Sequence, residues 1–370
     1  MTTLPTWLDP RSGLSTCAPT AAAVAAALAA ADPGPDDLAV LLAPAAAPYL
    51  EAMAQRAQAL TRRHFGSTIS LYAPLYLANH CSSGCAYCGF AADRGQPRHA
   101  LTLPQLEREL AALRGKGLAE VLLLTGERCV AADFGYLRQC AAMAAAAFPA
   151  VGVEAFAMST DEYRQLAEVG VSSVTIYQET YDLDQYERLH RWGPKRDYAA
   201  RLEAPARALA AGLRTVGLGV LLGLSEPRHD ALRLFLHARH LQRLYWRSGI
   251  TLSFPRLRSQ AGGFAAPYTV SEAWLAQLVF AMRLVLPDVP LLLSTRERPA
   301  FRDGMAGVGI SKMSVASRTT VGGYADTARG DLAQFDVSDE RGVDEFCASL
   351  RQRGLEPVFK NWDAAFRDPH

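Results

Sequence analysis

The chain has 370 residues, of which 50% are hydrophobic and 20% are charged, a composition ordinary for a globular protein with one large core. Its formal net charge is +1 and no basic stretch is sustained, so neither nucleic acid nor a membrane surface is expected as the main partner. No apolar run reaches the roughly 18 residues that a transmembrane helix requires.

The first 66 residues are predicted to form an arm and helices that pack on a larger domain. The alanine-rich segment Ala21–Ala31 could pass for a signal peptide, but alanine is a weak hydrophobe and a strong helix former. Thr20 before it and Asp32-Pro33-Gly34 after it resemble a helix cap and a stop, which favours a plain helix. Apolar residues then recur at helical spacing over Pro44–Phe65, and Gly66 is predicted to end that helix.

From residue 67 onwards, short apolar runs alternate with longer stretches of helical periodicity. The predicted strands are Ser70–Leu77, Glu120–Leu124, Val151–Phe156, Ser173–Tyr177, Thr215–Leu222, Thr251–Phe254, Pro290–Ser294 and Gly309–Val315. The predicted helices include Pro104–Arg114, Asp161–Val169, Tyr198–Ala211, Ala231–Tyr245 and Glu272–Leu286. This alternation indicates βαβ units and a parallel sheet. About eight units predict an α/β fold, a (β/α)₈ TIM-type barrel over residues 67–340, with an open doubly wound sheet as the alternative.

Residues 341–370 are predicted to form a short C-terminal segment. Arg341–Arg353 has the periodicity of a helix, and Pro357–Phe359 reads as a short extended piece before the tail. No internal repeat is visible, and no linker is long enough to separate domains.

Seven cysteines are present, and three of them, Cys81, Cys85 and Cys88, stand in a single loop directly after the first predicted strand. This pattern is not a disulfide framework, and it suits a reducing cytoplasm and a metal or cluster site. Three thiolates can hold three irons of a [4Fe–4S] cube and leave the fourth without a cysteine. A structural zinc with His80 or a distant cysteine as fourth ligand is the main alternative, although zinc sites more often show paired C-x₂-C units. Three ordinary buried cysteines are the other alternative.

The spacing C-x₃-C-x₂-C, with the aromatic Tyr87 before the last cysteine, resembles the radical S-adenosylmethionine (SAM) superfamily. The resemblance implies that the open iron binds the amino and carboxylate groups of SAM. One electron then splits the sulfonium and yields a 5′-deoxyadenosyl radical. Barrel enzymes carry their chemistry on loops at the C-terminal ends of the strands, where this loop is predicted to lie.

Further motifs resemble the 2-iminoacetate synthases, the tyrosine lyases of bacterial thiazole biosynthesis, and keep their order from about Leu38 to Trp362. They are Y-L-E-A-M-A-Q-R-A-Q-A-L-T at 49–61, L-Y-A-P-L-Y-L-A-N-H-C at 71–81, L-T-G-E at 124–127, Y-Q-E-T-Y at 177–181, S-F-P-R-L-R at 253–258, S-T-R-E at 294–297 and G-G-Y-A-D at 322–326. The first 35 residues and the Ala91–Ala100 stretch match poorly.

The resemblance assigns cofactor contacts by motif. Gly126-Glu127 resembles the turn that binds the SAM ammonium, and carboxylate and carbonyl oxygens are suitable acceptors for such a cation. Glu179 is expected to accept from the ribose hydroxyls, with Gln178 nearby. Arg201 resembles the arginine that pairs with the SAM carboxylate, which a guanidinium fork matches bidentately. Tyr87 is expected to pack near the adenine or simply in the core.

The resemblance also implies substrate contacts. Arg296 follows the seventh predicted strand and is expected to pair with the carboxylate of a free amino acid. Ser314 and Ser317 follow the next strand and are candidate hydrogen-bonding groups, although serines in such loops are more often local caps. Glu154 ends the third strand as a polar wall of the pocket. Arg256 and Arg258 follow the sixth strand; one is expected to orient substrate or polarise a fragment, and the other to be structural.

The implied reaction is cleavage of the Cα–Cβ bond of L-tyrosine to 2-iminoacetate and p-cresol, with SAM converted to 5′-deoxyadenosine and methionine. It would supply the thiazole moiety of thiamine. Because sulfonium cleavage needs a cluster of low potential, a flavodoxin or ferredoxin is implied as electron donor. 2-Iminoacetate hydrolyses readily, so a thiazole synthase is the expected protein partner.

Three other functions are alternatives to cleavage of tyrosine for thiazole biosynthesis. The tyrosine lyase of [FeFe]-hydrogenase maturation carries a second set of clustered cysteines near its C-terminus, whereas Cys347 is the only cysteine here beyond residue 140. The related tryptophan lyase fits the order of the motifs less well. A cluster or zinc carrier on a barrel scaffold would release no 5′-deoxyadenosine when given SAM and a reductant.

Overall fold

The structure is a computed structural model and describes residues 5–8, 18–260, 262–325 and 333–360. Cys17 and Trp362, together with the aspartate at the end of the G-G-Y-A-D motif, lie outside the described residues.

The chain forms a closed parallel barrel of eight strands. The strands are β1 (Thr68–Tyr76), β2 (Glu120–Leu124), β3 (Ala150–Glu154), β4 (Ser173–Glu179), β5 (Thr215–Val220), β6 (Gly249–Ser253), β7 (Leu291–Leu293) and β8 (Lys312–Ser314). Each strand pairs in parallel with the next, and β1 pairs with both β2 and β8, which closes the sheet. The predicted TIM-type fold is therefore confirmed, and the open doubly wound sheet is excluded.

Helices cover the outside of the barrel. Those after β1 are α4 (Leu103–Gly115), α5 (Phe134–Ala147), α6 (Thr160–Glu168), α7 (Leu183–Leu189), α8 (Tyr198–Ala210), α9 (Pro227–Leu244), α10 (Glu272–Val285), α11 (Pro299–Met305) and α12 (Val343–Gln352). A ninth strand, β9 (Glu356–Val358), adds in parallel to the start of β1. It occupies the position of the predicted extended piece.

Three helices precede the barrel: α1 (Ala21–Ala29), α2 (Pro35–Leu41) and α3 (Leu50–Phe65). The Thr20 side chain caps α1 by accepting from the Ala23 N–H at 3.2 Å, as the sequence predicts. The predicted helix over Pro44–Phe65 is α-helical only from Leu50. Pro44–Tyr49 is a 3₁₀ helix instead, because Pro48 inside it has no N–H for an α-helical bond.

The N-terminal helices dock on the barrel through α10. Gln277 is buried, and its Nε2 donates to the carbonyls of Leu41 and Ala43 at 2.8 and 3.0 Å.

Within the described ranges no single helix is both long and apolar enough to span a membrane. Pro35–Leu41 and Pro44–Phe65 reach the required length and hydropathy only when they are taken together, and an 82° bend separates them.

The interior of the barrel carries charges at both ends. At the N-terminal end, Lys312 of β8 forms an ion pair with Glu120 of β2 across the barrel floor. Behind β8, Arg302 of α11 donates to the Ser314 carbonyl and forms a buried ion pair with Asp339. Arg341 binds the same carboxylate at 2.7 Å. Burial alone would raise the pKa of Asp339, but Arg341 and Arg302 hold it below its usual range.

Replacing Asp339 should destabilise the fold markedly. Asp339→Ala leaves Arg302 buried without its carboxylate, and losing one partner of a buried ion pair costs about 3–5 kcal/mol. We expect a clear fall in the urea midpoint followed by circular dichroism. Asp161→Ala removes an exposed ion pair with Arg164 and should shift the midpoint little, since such pairs are worth about 0–1 kcal/mol. Equal shifts for the two variants would contradict this assignment.

Candidate active site

The cysteine loop leaves the C-terminal end of β1 and points its sulfurs toward backbone N–H groups. Cys81 Sγ accepts from the N–H groups of Ser83 and Glu127 at 3.5 and 3.4 Å. Cys88 Sγ accepts from the Phe90 N–H at 3.4 Å. Hydrogen bonds to sulfur stabilise a thiolate and tune an iron–sulfur cluster. Backbone N–H groups are therefore in place to stabilise the thiolates of Cys81 and Cys88 when they bind iron.

A second segment, residues 189–192, fixes the shape of this loop. It runs antiparallel to the loop: the Gly84 N–H donates to the Trp192 carbonyl at 3.0 Å, and the Ala86 N–H donates to the Leu189 carbonyl at 2.9 Å. A Cβ at Gly84 would lie 2.3 Å from the Trp192 ring, so a larger residue there would force that ring to move. Backbone pairing and close packing thus hold Cys85 in one position.

Tyr87 and His190 form a buried hydrogen-bonded pair beneath the loop. His190 Nδ1 lies 2.8 Å from the Tyr186 carbonyl, which can only accept, so Nδ1 carries the hydrogen. The Tyr87 hydroxyl then donates to Nε2 at 2.7 Å. Burial is the main cause that lowers the pKa of His190 to about 2, so this imidazole is neutral. Tyr87 thus links the cysteine loop to His190, the residue that follows α7.

The three thiols suit an iron–sulfur cluster. Cys81, Cys85 and Cys88 lie near enough that the charge of each neighbouring sulfur contributes to the raised pKa of Cys85, after the larger effect of burial. Burial likewise raises the pKa of Cys81 to about 11. Among the described residues no three His, Cys, Asp or Glu side chains converge closely enough to bind a single metal ion. A cube binds its thiolates through separate irons, so the donor set fits a cluster better than one zinc ion.

Beside the cysteine loop lies a buried set of four charges, here called the charge cluster: Glu127, Glu179, Lys195 and Arg201. Arg201 Nη1 is 3.1 Å from Glu127 Oε1, and Lys195 Nζ is 2.6 Å from Glu179 Oε1. Arg201 also donates from Nε to the Tyr177 carbonyl at 2.7 Å. Burial alone would lower the pKa of Arg201, but Glu127 and Glu179 raise it. Each charge in the cluster is thus paired.

The end of β4 is irregular where it joins the charge cluster. The register with β5 shifts between Tyr177 and Glu179, and Glu179 has a φ of 70°, in the left-handed region that non-glycine residues rarely adopt. The Gln178 side chain is buried, and its Nε2 has no hydrogen-bond partner in the described part of the chain. A buried amide without a partner is costly, and a bound ligand could supply one. These features fit the predicted cofactor site.

A cavity that opens to solvent lies inside the mouth of the barrel. Its walls include Tyr72 and Tyr76 of β1, Tyr177 of β4, and Phe335 and Gln334 of the segment after β8. Gln334 connects the cavity to the cysteine loop, because its Oε1 accepts from the Tyr76 hydroxyl at 2.6 Å and its Nε2 lies 3.8 Å from Cys88 Sγ. The cavity is therefore aromatic, and it adjoins the predicted cluster.

Arg296 enters this cavity from the loop after β7. Its guanidinium carbon lies 3.3 Å from the centre of the Phe335 ring, a cation–π contact. Within the described ranges no carboxylate lies within ion-pair distance of it. Burial lowers the pKa of Arg296, although the group remains a cation at neutral pH.

Glu154, the last residue of β3, lines the same cavity. Its carboxylate has no hydrogen bond and no ion pair to any described residue. Burial is the main cause that raises its pKa to about 7, and the nearby charge of Glu179 raises it further. Arg296 is the strongest influence in the opposite direction.

The other predicted substrate residues fall into two groups. Ser314 and Ser317 line the cavity; Ser314 Oγ accepts from the Thr295 N–H at 3.1 Å, and Ser317 Oγ is buried without a described partner. Arg256 and Arg258 instead both bind Glu297, the residue after Arg296. Neither arginine is among the residues that line the cavity.

Sequence reasoning missed Lys195, Gln334 and Phe335. Lys195 stands in a short 3₁₀ turn, Pro194–Arg196, and a lysine in a polar turn resembles any solvated lysine. Gln334 and Phe335 stand in a part of the sequence without recognisable periodicity. The sequence could have predicted that Tyr72 and Tyr76 lie on the same side of the barrel, because residues four apart on a strand face the same side.

Family models match this chain in two adjoining parts. A model of the radical SAM superfamily matches residues 75–236, and a model of the biotin and thiamin synthesis associated domain matches residues 253–356. The second match starts at the last residue of β6, so it covers strands of the same barrel rather than a separate one.

Relatives of known function match over nearly the whole chain. The chain is 42% identical to a 2-iminoacetate synthase of Escherichia coli (strain K12) over 346 residues, which cover 93% of this chain and 92% of that protein. It is 41% identical to a 2-iminoacetate synthase of Salmonella typhimurium, with the same coverage.

Solved structures agree with the barrel. The crystal structure of HydG, a maturase of the [FeFe]-hydrogenase, superimposes with a TM-score of 0.86 at 32% identity, covering 94% of this chain and 77% of that chain. Methylornithine synthase superimposes with a TM-score of 0.73 at 18% identity, covering 91% and 97%. At that identity the second likeness supports the fold alone.

A methyl group at Gly126 should prevent cluster assembly. The added Cβ would lie 2.4 Å from the His80 carbonyl and 2.7 Å from Cys81 Cβ, so the loops after β1 and β2 would separate. Overpacking of this kind costs about 1–3 kcal/mol, enough to displace Cys81 from its ligating position. We expect Gly126→Ala to retain much less iron and sulfide after anaerobic reconstitution.

Gly95→Ala is the matched control, because a Cβ there meets no atom within 4 Å. It should reconstitute like the unaltered protein. Normal iron content in Gly126→Ala would show that the contact between the two loops does not support the cluster.

Proposed function

This chain belongs to the 2-iminoacetate synthase family of radical SAM enzymes, and we propose that it cleaves the Cα–Cβ bond of L-tyrosine to 2-iminoacetate and p-cresol. SAM is converted to 5′-deoxyadenosine and methionine in the same reaction. The observation that carries the proposal is 42% identity over 93% of the chain to an enzyme of that name. The product would supply the thiazole moiety of thiamine.

The cofactors of this family are a [4Fe–4S] cluster and SAM, and the cysteine loop fits the cluster. When bound, the two together supply a 5′-deoxyadenosyl radical that can abstract a hydrogen atom from the substrate. In our proposal Cys81, Cys85 and Cys88 each hold one iron, which leaves the fourth iron open for SAM. The N–H groups of Ser83, Glu127 and Phe90 stabilise the ligating sulfurs.

The charge cluster is proposed to bind the ionic parts of SAM. Glu127 beside Gly126 would accept from the SAM ammonium, and Arg201 would donate to the SAM carboxylate. The two side chains pair with each other in the structure, so a zwitterion can replace that pair without leaving either charge buried alone. Glu179 and Gln178 are proposed to bind the ribose, and Tyr87 to pack near the adenine.

The cavity is proposed to hold the amino acid. Arg296 would bind its carboxylate, and Ser314 would donate a hydrogen bond to it. Arg256 would not touch the substrate. Arg256 and Arg258 both donate to the carboxylate of Glu297, the residue after Arg296, and so fix the loop that carries Arg296. Arg256 is therefore proposed as a positioning residue rather than a direct substrate contact.

We further propose two protein partners and a compartment. A flavodoxin or ferredoxin would deliver the electron, because sulfonium cleavage requires a low-potential donor. A thiazole synthase would receive 2-iminoacetate, which hydrolyses readily in water. The six described cysteines are all free, which suits the reducing cytoplasm.

Anaerobic reconstitution tests the function. With iron, sulfide, SAM and dithionite, we expect tyrosine to yield p-cresol, glyoxylate from hydrolysed 2-iminoacetate, and 5′-deoxyadenosine, while tryptophan yields no indole product. Cys85→Ala should lose both cluster and products, whereas Cys347→Ala, on α12 behind the barrel, should keep both. Formation of p-cresol by Cys85→Ala, or of an indole acid from tryptophan, would contradict the proposal.

Removing the Arg296 guanidinium should weaken tyrosine binding. A hydrogen-bonded pair with a charged group is worth about 1.5–3 kcal/mol, so Arg296→Leu should bind tyrosine roughly 10- to 100-fold more weakly. Its iron content should be unchanged. Arg298→Leu is the control, because Arg298 lies on the surface and binds Glu272. Unaltered tyrosine affinity in Arg296→Leu would exclude Arg296 from the substrate site.

A further inference from the structure

The cavity holds two opposite charges that do not pair with each other. Glu154 and Arg296 both line it, yet their charged atoms lie beyond ion-pair distance. Each still affects the ionisation of the other. Both side chains are partly buried, whereas other charges of this barrel, such as Lys195 and Lys312, pair directly with a carboxylate. Two charges of opposite sign that line one cavity without pairing suit a ligand that carries both.

The walls around Glu154 offer it no partner. Tyr72, Tyr76 and Tyr177 face the same cavity, and for each tyrosine burial first and then the charge of Glu154 raise the pKa. The nearby cations Lys195 and Arg201 are engaged by Glu179 and Glu127. The carboxylate therefore faces neutral hydroxyls, Arg296 and an already balanced charge cluster.

We propose that Glu154 binds the α-ammonium group of the amino-acid substrate, while Arg296 binds its carboxylate. This inference rests on the proposed function and deepens it, because it assigns the side chain that receives the amine of the substrate. The gap between the two side chains is one that a zwitterion fills. Amines without a carboxylate and acids without an amine each leave one of the two charges without a partner.

The same carboxylate can also adjust the protonation of the substrate. One ammonium proton passes to a Glu154 oxygen, which gives a neutral amine and a carboxylic acid, with no electron transferred. A neutral amine with a lone pair is more readily attacked by a carbon radical than an ammonium group is. Glu154 would thus both select the substrate and hold the proton that its amine releases.

Ligand analogues separate this role from a structural one. Binding is measured by calorimetry on reconstituted protein with SAM and no reductant, for tyrosine, for 3-(4-hydroxyphenyl)propionate, which lacks the amine, and for tyramine, which lacks the carboxylate. Glu154→Gln, nearly isosteric, should bind tyrosine roughly 10- to 100-fold more weakly while binding 3-(4-hydroxyphenyl)propionate as well as the unaltered protein or better. Arg296→Leu should show the reverse: tyramine affinity unchanged and tyrosine affinity lost. The exposed Glu168→Gln is the control.

The outcomes distinguish the inference from the proposed function. Equal losses for tyrosine and 3-(4-hydroxyphenyl)propionate in Glu154→Gln, or no loss for either, would overturn the ammonium site, while p-cresol formation by the unaltered enzyme would leave the function standing. Failure of the unaltered enzyme to bind tyrosine at all would remove both.

A second measurement needs no variant. Because burial raises the pKa of Glu154 to about 7, the carboxylate is ionised above that pH and protonated below it. Tyrosine affinity of the unaltered protein should therefore fall as the pH drops from 8 through about 7 to 6, whereas affinity for 3-(4-hydroxyphenyl)propionate should stay level or rise. A parallel fall for both ligands would contradict the assignment.

Discussion

The pairing of β1 with β2 is the constraint on which the site depends. Tyr76 lies in register with Leu124, so the loops that follow these two strands start side by side. The loops then approach so closely that Gly126 has no room for a Cβ against His80 and Cys81, and the next N–H, that of Glu127, donates to Cys81 Sγ. A cluster ligand and a proposed SAM contact are thus fixed by one backbone approach, and neither can move without the other.

Apolar packing also holds the cysteine loop in place, in addition to its backbone contacts. One small cluster of buried side chains, including Leu189, Leu221 and Leu224, surrounds Cys85 and Tyr87, and a second, formed by Tyr76, Phe90 and Leu124, adjoins Cys88. Cys85 and Cys88 therefore lie against hydrocarbon, while backbone N–H groups donate to the sulfurs of Cys81 and Cys88. Apolar neighbours reduce the access of water and so strengthen the electrostatic contacts beside them.

The sequence predicts the barrel and the cysteines because both follow local rules. Strand and helix periodicities alternate plainly, and C-x₃-C-x₂-C is a compact motif. The sequence predicts local structure less well where a single proline or a contact between distant residues determines it. Pro48 converts part of a predicted α-helix to a 3₁₀ helix, and Phe335 contacts Arg296 from 39 residues away in the chain. The pairing of Arg256 with Glu297 is equally invisible, since nothing in the spacing of two polar residues on separate loops shows that they meet. Motif resemblance points to the loops at this end of the barrel, but only packing shows which side chain on each loop faces the cavity.

Two charged side chains pair directly at one end of the barrel, whereas two others at the opposite end do not pair with each other, and this contrast supports a ligand site at the end without the direct pair. At the floor, Lys312 and Glu120 neutralise each other directly, as burial of charge in a stable fold requires. At the mouth, Arg296 and Glu154 share a cavity without meeting. Both ends belong to the same strands and the same core, so the difference does not come from the architecture. A cation and an anion held apart in one cavity form an arrangement that a molecule carrying both charges would complete, whereas the direct pair at the floor leaves no such role for a ligand.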